Sequence, residues 1–356
     1  MASGAPGPQT APTYAMRAPA ILLFAVSTAF GQFRSTVPLV VAPTTITDAK
    51  GHYIDGLKPA DLVLYDNNVP QPIQMDWMLY PISLVVLVQA SSNARAVLDK
   101  LGGSGVLFTD LLAAESGETA LLTFADEPRV LLGFTADSRA LTESLRKLRV
   151  EGDGACLLDG LREALRLLDT RTPGRRRVIL VVGERRDRSS QATLPDVVRE
   201  VERQNAAVYW LTFSPFLQPF TAKAKNPEKF VPDAKKKGKS ETDWEEEKRE
   251  QDQHDLDRTL PAPGGFIYAL GELARLKKPD LAELFTRVTG ARSIGFLQRK
   301  GLEQAIQAVG EEVHEQYILS FQPHPGDLGQ FHAIRVAVKD RPDLVVKTRE
   351  GYWPVQ

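Results

Sequence analysis

Residues 81–93, Pro-Ile-Ser-Leu-Val-Val-Leu-Val-Gln-Ala-Ser-Ser-Asn, constrain this chain more than any other stretch. The apolar run 84–88 stops abruptly in small hydroxylated residues, and a helical pattern opens behind them. An uninterrupted apolar run suits a strand covered on both faces, the condition of a central strand in a parallel sheet. In an open α/β sheet, ligands bind at the loop leaving the carboxyl end of such a strand. Gln89, Ser91, Ser92 and Asn93 are therefore the first candidate site residues.

From Pro81 onward strands and helices alternate. Residues 118–126 read as a strand, with 129–134 as an antiparallel edge neighbour. The segments 138–148 and 157–168 carry apolar residues at helical spacing. A buried strand at 176–182 follows, then a helix at 195–204 and a strand at 206–213. The rhythm resumes with a helix at 279–289 ended by Gly290, an edge strand at 293–297 and an amphipathic helix at 302–316. This order predicts a doubly wound, mostly parallel, Rossmann-type α/β sheet across 81–323.

The flanks read differently. Residues 33–80 alternate short β-rich runs with turn chemistry at 48–51 and 66–68, a small N-terminal β-module. Residues 324–356 form a short C-terminal β extension. Residues 1–31 read as a leader: Met16-Arg17, a short apolar stretch to Phe30, then Gly31-Gln32. The Pro- and Ala-rich residues before it leave Met1 or Met16 as the start. The stretch is too short for a membrane span, so the mature chain is expected to have none. Residues 217–263 interrupt the α/β domain with a basic block followed by an acidic one, which reads as a charged, disordered insertion.

The segment 89–93 resembles the metal-site loop of the von Willebrand factor A (VWA) domain, whose motif is Asp-x-Ser-x-Ser. The flanking β elements, with a Gln-Tyr-x-Leu strand at 316–319 and a final Gly351-Tyr352, resemble the VWFA-related domain proteins prominent in acidobacteria. The resemblance implies a VWA-like fold and, in intact relatives, a Mg²⁺ held by oxygen ligands at the sheet's carboxyl edge. Here Gln89 stands for the first acid and Asn93 for the second hydroxyl, while Ser91 is kept. Ala155 falls where the second loop should supply threonine, and Glu184 where the third should supply aspartate, with Arg185 and Arg186 beside it. Magnesium needs hard oxygen ligands with one or two carboxylates. A neutralised acid and adjacent cations oppose it, so no cofactor and no Mg²⁺ is expected. Any residual metal ligands would be Ser91, Asn93 and Glu184.

What remains is a polar cleft of Gln89, Ser91, Ser92, Asn93, Asp153, Glu184 and Arg185, with no catalytic residue assigned. A formal net charge of -1 gives no field to attract nucleic acid. The single cysteine, Cys156, excludes an intrachain disulfide and adjoins an apolar helix as a small hydrophobe. The five histidines lack metal-ligand spacing, and Trp210 and Trp353 read as packing residues. No nucleophile, base or acid pair can be grouped, so the chain is read as a non-enzyme. The expected function is a metal-independent adhesion or assembly module, secreted or in the periplasm or cell envelope. Its partner is an unidentified protein, not nucleic acid or a small-molecule cofactor. The alternatives are a scaffold with an unused edge, or a metal-dependent adhesion module.

Overall fold

The computed structural model describes residues 39–76, 81–102, 107–110, 117–213, 280–296, 299–323 and 331–353, together with Met1 and Gly4. The fold lies within the unit Val37–Gln356. The leader at 1–31, apart from Met1 and Gly4, and the insertion at 217–263 lie outside the described residues.

Four strands come first: β1 (Val40–Thr47), β2 (Leu62–Asp66), β3 (Val69–Gln71) and β4 (Gln74–Asp76). β5 (Ile82–Gln89) is buried at every position, as its unbroken apolar run requires. It lies between β6 (Glu118–Phe124) and β8 (Arg176–Gly183), parallel to both. β7 (Pro128–Thr135) closes one edge antiparallel to β6. β9 (Ala207–Phe213) and β10 (Ser293–Phe296) extend the other side in parallel, giving the order β10-β9-β8-β5-β6-β7.

Helices cover both faces, so the sheet has two cores. On one face, Val85, Leu87, Ile179 and Val181 pack against α4 (Leu157–Asp169), α5 (Leu194–Arg203) and α6 (Leu281–Thr289). On the other, Leu84, Val86 and Val88 meet α1 (Arg95–Leu101), α3 (Ser138–Arg146) and α7 (Arg299–Glu315). A short α2 (Leu107–Asp110) precedes β6. The helix ends follow local chemistry. Asp137 Oδ1 accepts from Arg139 N at 2.8 Å, and Asp280 Oδ1 accepts from Glu283 N at 3.1 Å. Gly290 ends α6 in the left-handed region at φ 71°. The doubly wound α/β sheet is as the sequence predicts.

The flanking β segments do not stay apart. β1 pairs antiparallel with β11 (Tyr317–Phe321), a strand in the stretch assigned above to the α/β domain, and with β13 (Val345–Lys347). The full order is β13-β1-β11-β4. β12 (His332–Val338), β14 (Gly351–Tyr352), β2 and β3 form a second sheet, β14-β12-β2-β3. Val40, Ala42 and Leu319 from one sheet share a core with Leu64, Ile334 and Val336 from the other. Module and extension thus make one β-sandwich, because neither end of the chain carries enough apolar strand surface to be covered alone. Its interior holds a polar trio: His332 Nδ1 lies 2.7 Å from Asp66 Oδ1, and the Tyr352 hydroxyl donates to Asp66 Oδ2 at 2.7 Å. Among the described residues no helix is long and apolar enough to cross a membrane.

Candidate functional site

β5, β6 and β8 end side by side, and the loops leaving them form the sheet's carboxyl edge. The first loop turns from Gln89 through a buried Ser91 into a short 3-10 turn, Ser92–Ala94. The loop before α4 comes up against it. Glu151 N donates to Ala90 O at 2.8 Å, and Ser92 N donates to Gly152 O at 3.0 Å. Its glycines permit a close approach to Asp126: a Cβ on Gly152 would lie 2.3 Å from Asp126 Oδ2. Gly154 N donates to Asp126 Oδ1 at 2.8 Å.

The third loop, after β8, is stapled to the first turn of α4. Asp187 Oδ1 accepts from Leu158 N at 3.1 Å, while Asp159 accepts from Gln191 N at 2.8 Å and Ala192 N at 2.9 Å. Arg188 N donates to Ala155 O at 3.0 Å. This folding-over carries the Arg188 side chain back onto Glu184, four residues earlier.

The centre of the edge is therefore a closed polar network. Gln89 and Glu184 are only 1% and 5% exposed, and Ser91 is fully buried. Glu184 N donates to Gln89 Oε1 at 2.8 Å, which fixes the amide orientation. Gln89 Nε2 then donates to Ser91 Oγ at 2.8 Å and to Glu184 Oε2 at 3.2 Å. The Arg188 guanidinium donates to the same Oε2. Both donors of the amide and one end of a guanidinium are thus spent on Ser91 and Glu184.

That arrangement does not fit a divalent cation. A metal there would meet N–H groups where it needs oxygen lone pairs, with a fixed positive charge already on the carboxylate. Ala155 is fully buried and brings no donor atom from its side chain. Among the described residues no group of three or more His, Cys, Asp and Glu side chains could hold a metal ion.

Of the sequence-predicted residues, Gln89, Ser91 and Glu184 are brought into contact. Ser92 is exposed on the rim, Asn93 half-buried beside it, and Asp153 exposed at the tip of its turn. Arg185 does not stand against Glu184 as expected. Its Nη1 donates to Asp280 Oδ2 at 3.0 Å, and its carbonyl accepts from Leu281 N at 2.9 Å, because the chain after β8 turns it toward α6. Sequence reading missed Arg188. Its signal was the run Glu184-Arg185-Arg186-Asp187-Arg188, whose ends meet only if the loop curls. Cys156 is buried, and burial first, then the Asp159 charge, pushes its thiol up to about 11, well away from a reactive thiolate.

Fold and edge together define a VWA-like α/β domain, a class whose parallel sheet presents its carboxyl-edge loops as a binding face. Residues 83–185 match the family model described as von Willebrand factor type A domain, and the protein is VWA-related. No curated protein matches the chain. Among solved structures, the von Willebrand factor domain of the type V pilus tip protein Mfa5 from Porphyromonas gingivalis is 22% identical. That match covers 33% of this chain and 44% of that one, with a TM-score of 0.29. BatB from Bacteroides thetaiotaomicron is 15% identical over 37% of this chain and 66% of that one, with a TM-score of 0.32. An aerotolerance-related membrane protein from Bacteroides fragilis is 12% identical over 65% of this chain and 99% of that one, with a TM-score of 0.37. This chain thus spans less than half of the pilus-tip chain it matches.

Proposed function

We propose that this chain is a non-catalytic protein-interaction module for adhesion or assembly, acting in the cell envelope or secreted space without a metal ion. The observation that carries this reading is the Gln89–Ser91–Glu184–Arg188 network. It supplies from within the chain both the positive charge and the cross-links that a metal would otherwise supply between loops. The degenerate motif is read as a site rebuilt around a guanidinium, in a protein of the VWFA-related, acidobacterial type. Rigid loops carrying polar groups on a sheet edge are well suited to recognising a partner. The absence of a catalytic role is supported at the same place. The Ser91 hydroxyl accepts from Gln89, and the described histidines lie elsewhere: His332 in the sandwich, His314 on α7 and His52 on the surface. Export rests on the leader-like residues 1–31.

Titration calorimetry of Mg²⁺ and Mn²⁺ on the full chain tests the metal-independent part, and no heat of binding is expected. Gln89→Asp, Ala155→Thr and Glu184→Asp together should still bind weakly, and adding Arg188→Gln should raise affinity by removing the internal cation. Micromolar binding by the unmodified chain would overturn the reading. Partner capture from envelope extract should be the same with and without EDTA. Mass spectrometry of the native N-terminus should find processing near Gly31.

A further inference from the structure

The seam where α5 and α6 meet the β-sandwich holds a buried carboxyl group with no basic side chain in ion-pair contact among the described residues. Glu202, at the end of α5, is 6% exposed, and neither of its carboxyl oxygens has a hydrogen-bond partner among the described residues. It lines a small cavity with Asn205, Pro43 of β1, Ala207 of β9, Thr289 of α6 and Arg349 of the sandwich. The space holds about one water molecule. Arg349 is itself 4% exposed, and its hydrogen bonds go elsewhere. Nε donates to Gly351 O at 2.8 Å, and Nη1 donates to Asn205 Oδ1 at 2.7 Å and Val41 O at 3.3 Å.

The charges acting on Glu202 are Arg349, from the sandwich, and Arg199, from its own helix. From β1, β9 and α6 come Pro43, Ala207 and Thr289, which carry no titratable group. We propose that this seam is a proton-operated latch: Glu202 holds it shut as a neutral acid, and loss of that proton loosens α5 and α6 from the 348–351 segment. An ionised carboxylate without partners must draw in water or leave the cavity, whereas the neutral acid fits with a far smaller desolvation cost. Burial pushes the Glu202 carboxyl up to about 8, with Arg349 and Arg199 drawing it part way back. The folded value lies above the ordinary 4.5 of the unfolded chain. The stabilisation is therefore complete below about pH 4.5 and falls as pH rises toward 8. Across that window the folding equilibrium changes by at most about tenfold per pH unit.

Thermal unfolding of the full chain from about pH 5 to 9 tests the latch, with wild type compared with Glu202→Gln, which keeps the shape but cannot ionise. Wild-type stability should fall toward pH 8, and the variant should lose the share of that slope belonging to one proton, becoming the more stable form above pH 8. Infrared spectra at pH 7 should show a protonated-carboxyl band in wild type. In amide exchange corrected for intrinsic rates, residues 203–207 and 348–351 should open faster at about pH 8.5 in wild type alone. An equal slope in both proteins, a missing carboxyl band, or opening spread evenly over the chain would each overturn the proposal. If the variant fails to fold, the wild-type band still decides, since it must be present at pH 7 and fade as pH rises past 8.

Discussion

Glu184 and Glu202 are buried alike, at 5% and 6% exposure, yet they sit in opposite surroundings. At the sheet edge Glu184 is held by Gln89 and Arg188. At the seam, Glu202 faces an arginine that spends its described hydrogen bonds on carbonyl and amide oxygens. Depth of burial therefore does not decide what a carboxyl group does; the partners within hydrogen-bond reach do. At the edge the carboxylate is tied into a hydrogen-bonded network, and the seam keeps a group whose charge state can change. α6 touches both regions. Asp280 at its start binds Arg185 beside the edge, and Gly290 at its end packs on the Thr348–Arg349 backbone.

Gly290→Ala should break the seam with the largest effect. The left-handed φ of 71° costs an L-residue about 1–2 kcal/mol. The new Cβ would also stand 2.6 Å from Arg349 N, an overlap that adds about 1–3 kcal/mol. Urea denaturation should show a loss of about 3 kcal/mol from these two effects together. A loss under about 1 kcal/mol would mean that the sandwich is only loosely tied to α6.

Arg188→Ala addresses the edge. Removing one partner of a buried pair costs about 3–5 kcal/mol when both groups are buried. The Arg188 side chain is 42% exposed, so about 2 kcal/mol is expected here. Glu184→Gln in the same chain should recover most of that loss, a double-mutant cycle that separates the pair from general packing. No recovery would show that Arg188 acts through its stem rather than its charge.

Tyr352→Phe removes the hydroxyl that donates to Asp66 inside the sandwich and should cost about 1 kcal/mol. Asp66 then keeps His332 as its partner, so urea denaturation should show a modest loss and an unchanged fold. A loss above about 3 kcal/mol would mean that the hydroxyl also orders the packing of the sandwich core.

The smallest effect belongs to the charged insertion. Replacing residues 222–258 with a short Gly/Ser linker should change stability by less than about 0.5 kcal/mol, since like-charge blocks bury little apolar surface. A cooperative loss of structure on scanning calorimetry would show that the segment packs as part of the domain.

Features that depend on neighbours along the chain were legible in the residues alone. The unbroken apolar run of β5 announced a strand covered on both faces, and strand–helix alternation announced the parallel sheet. Gly290 marked the end of α6, because only a residue without a Cβ enters the left-handed region cheaply. Gln89 and Ser91 were equally legible as residues of the carboxyl end of β5 and the loop leaving it. Tertiary structure alone decided the rest. β1 and β11 meet because each needs a surface that the other end of the chain supplies, and no local pattern encodes which remote strand that is. Arg188, not Arg185, reaches Glu184 because Asp159 and Asp187 curl the third loop back on itself. Glu202 reads in sequence as one more polar residue on an amphipathic helix. Its carboxyl is set apart by the closing of the sandwich over α5, which takes it out of bulk solvent without bringing a hydrogen-bond partner from among the described residues.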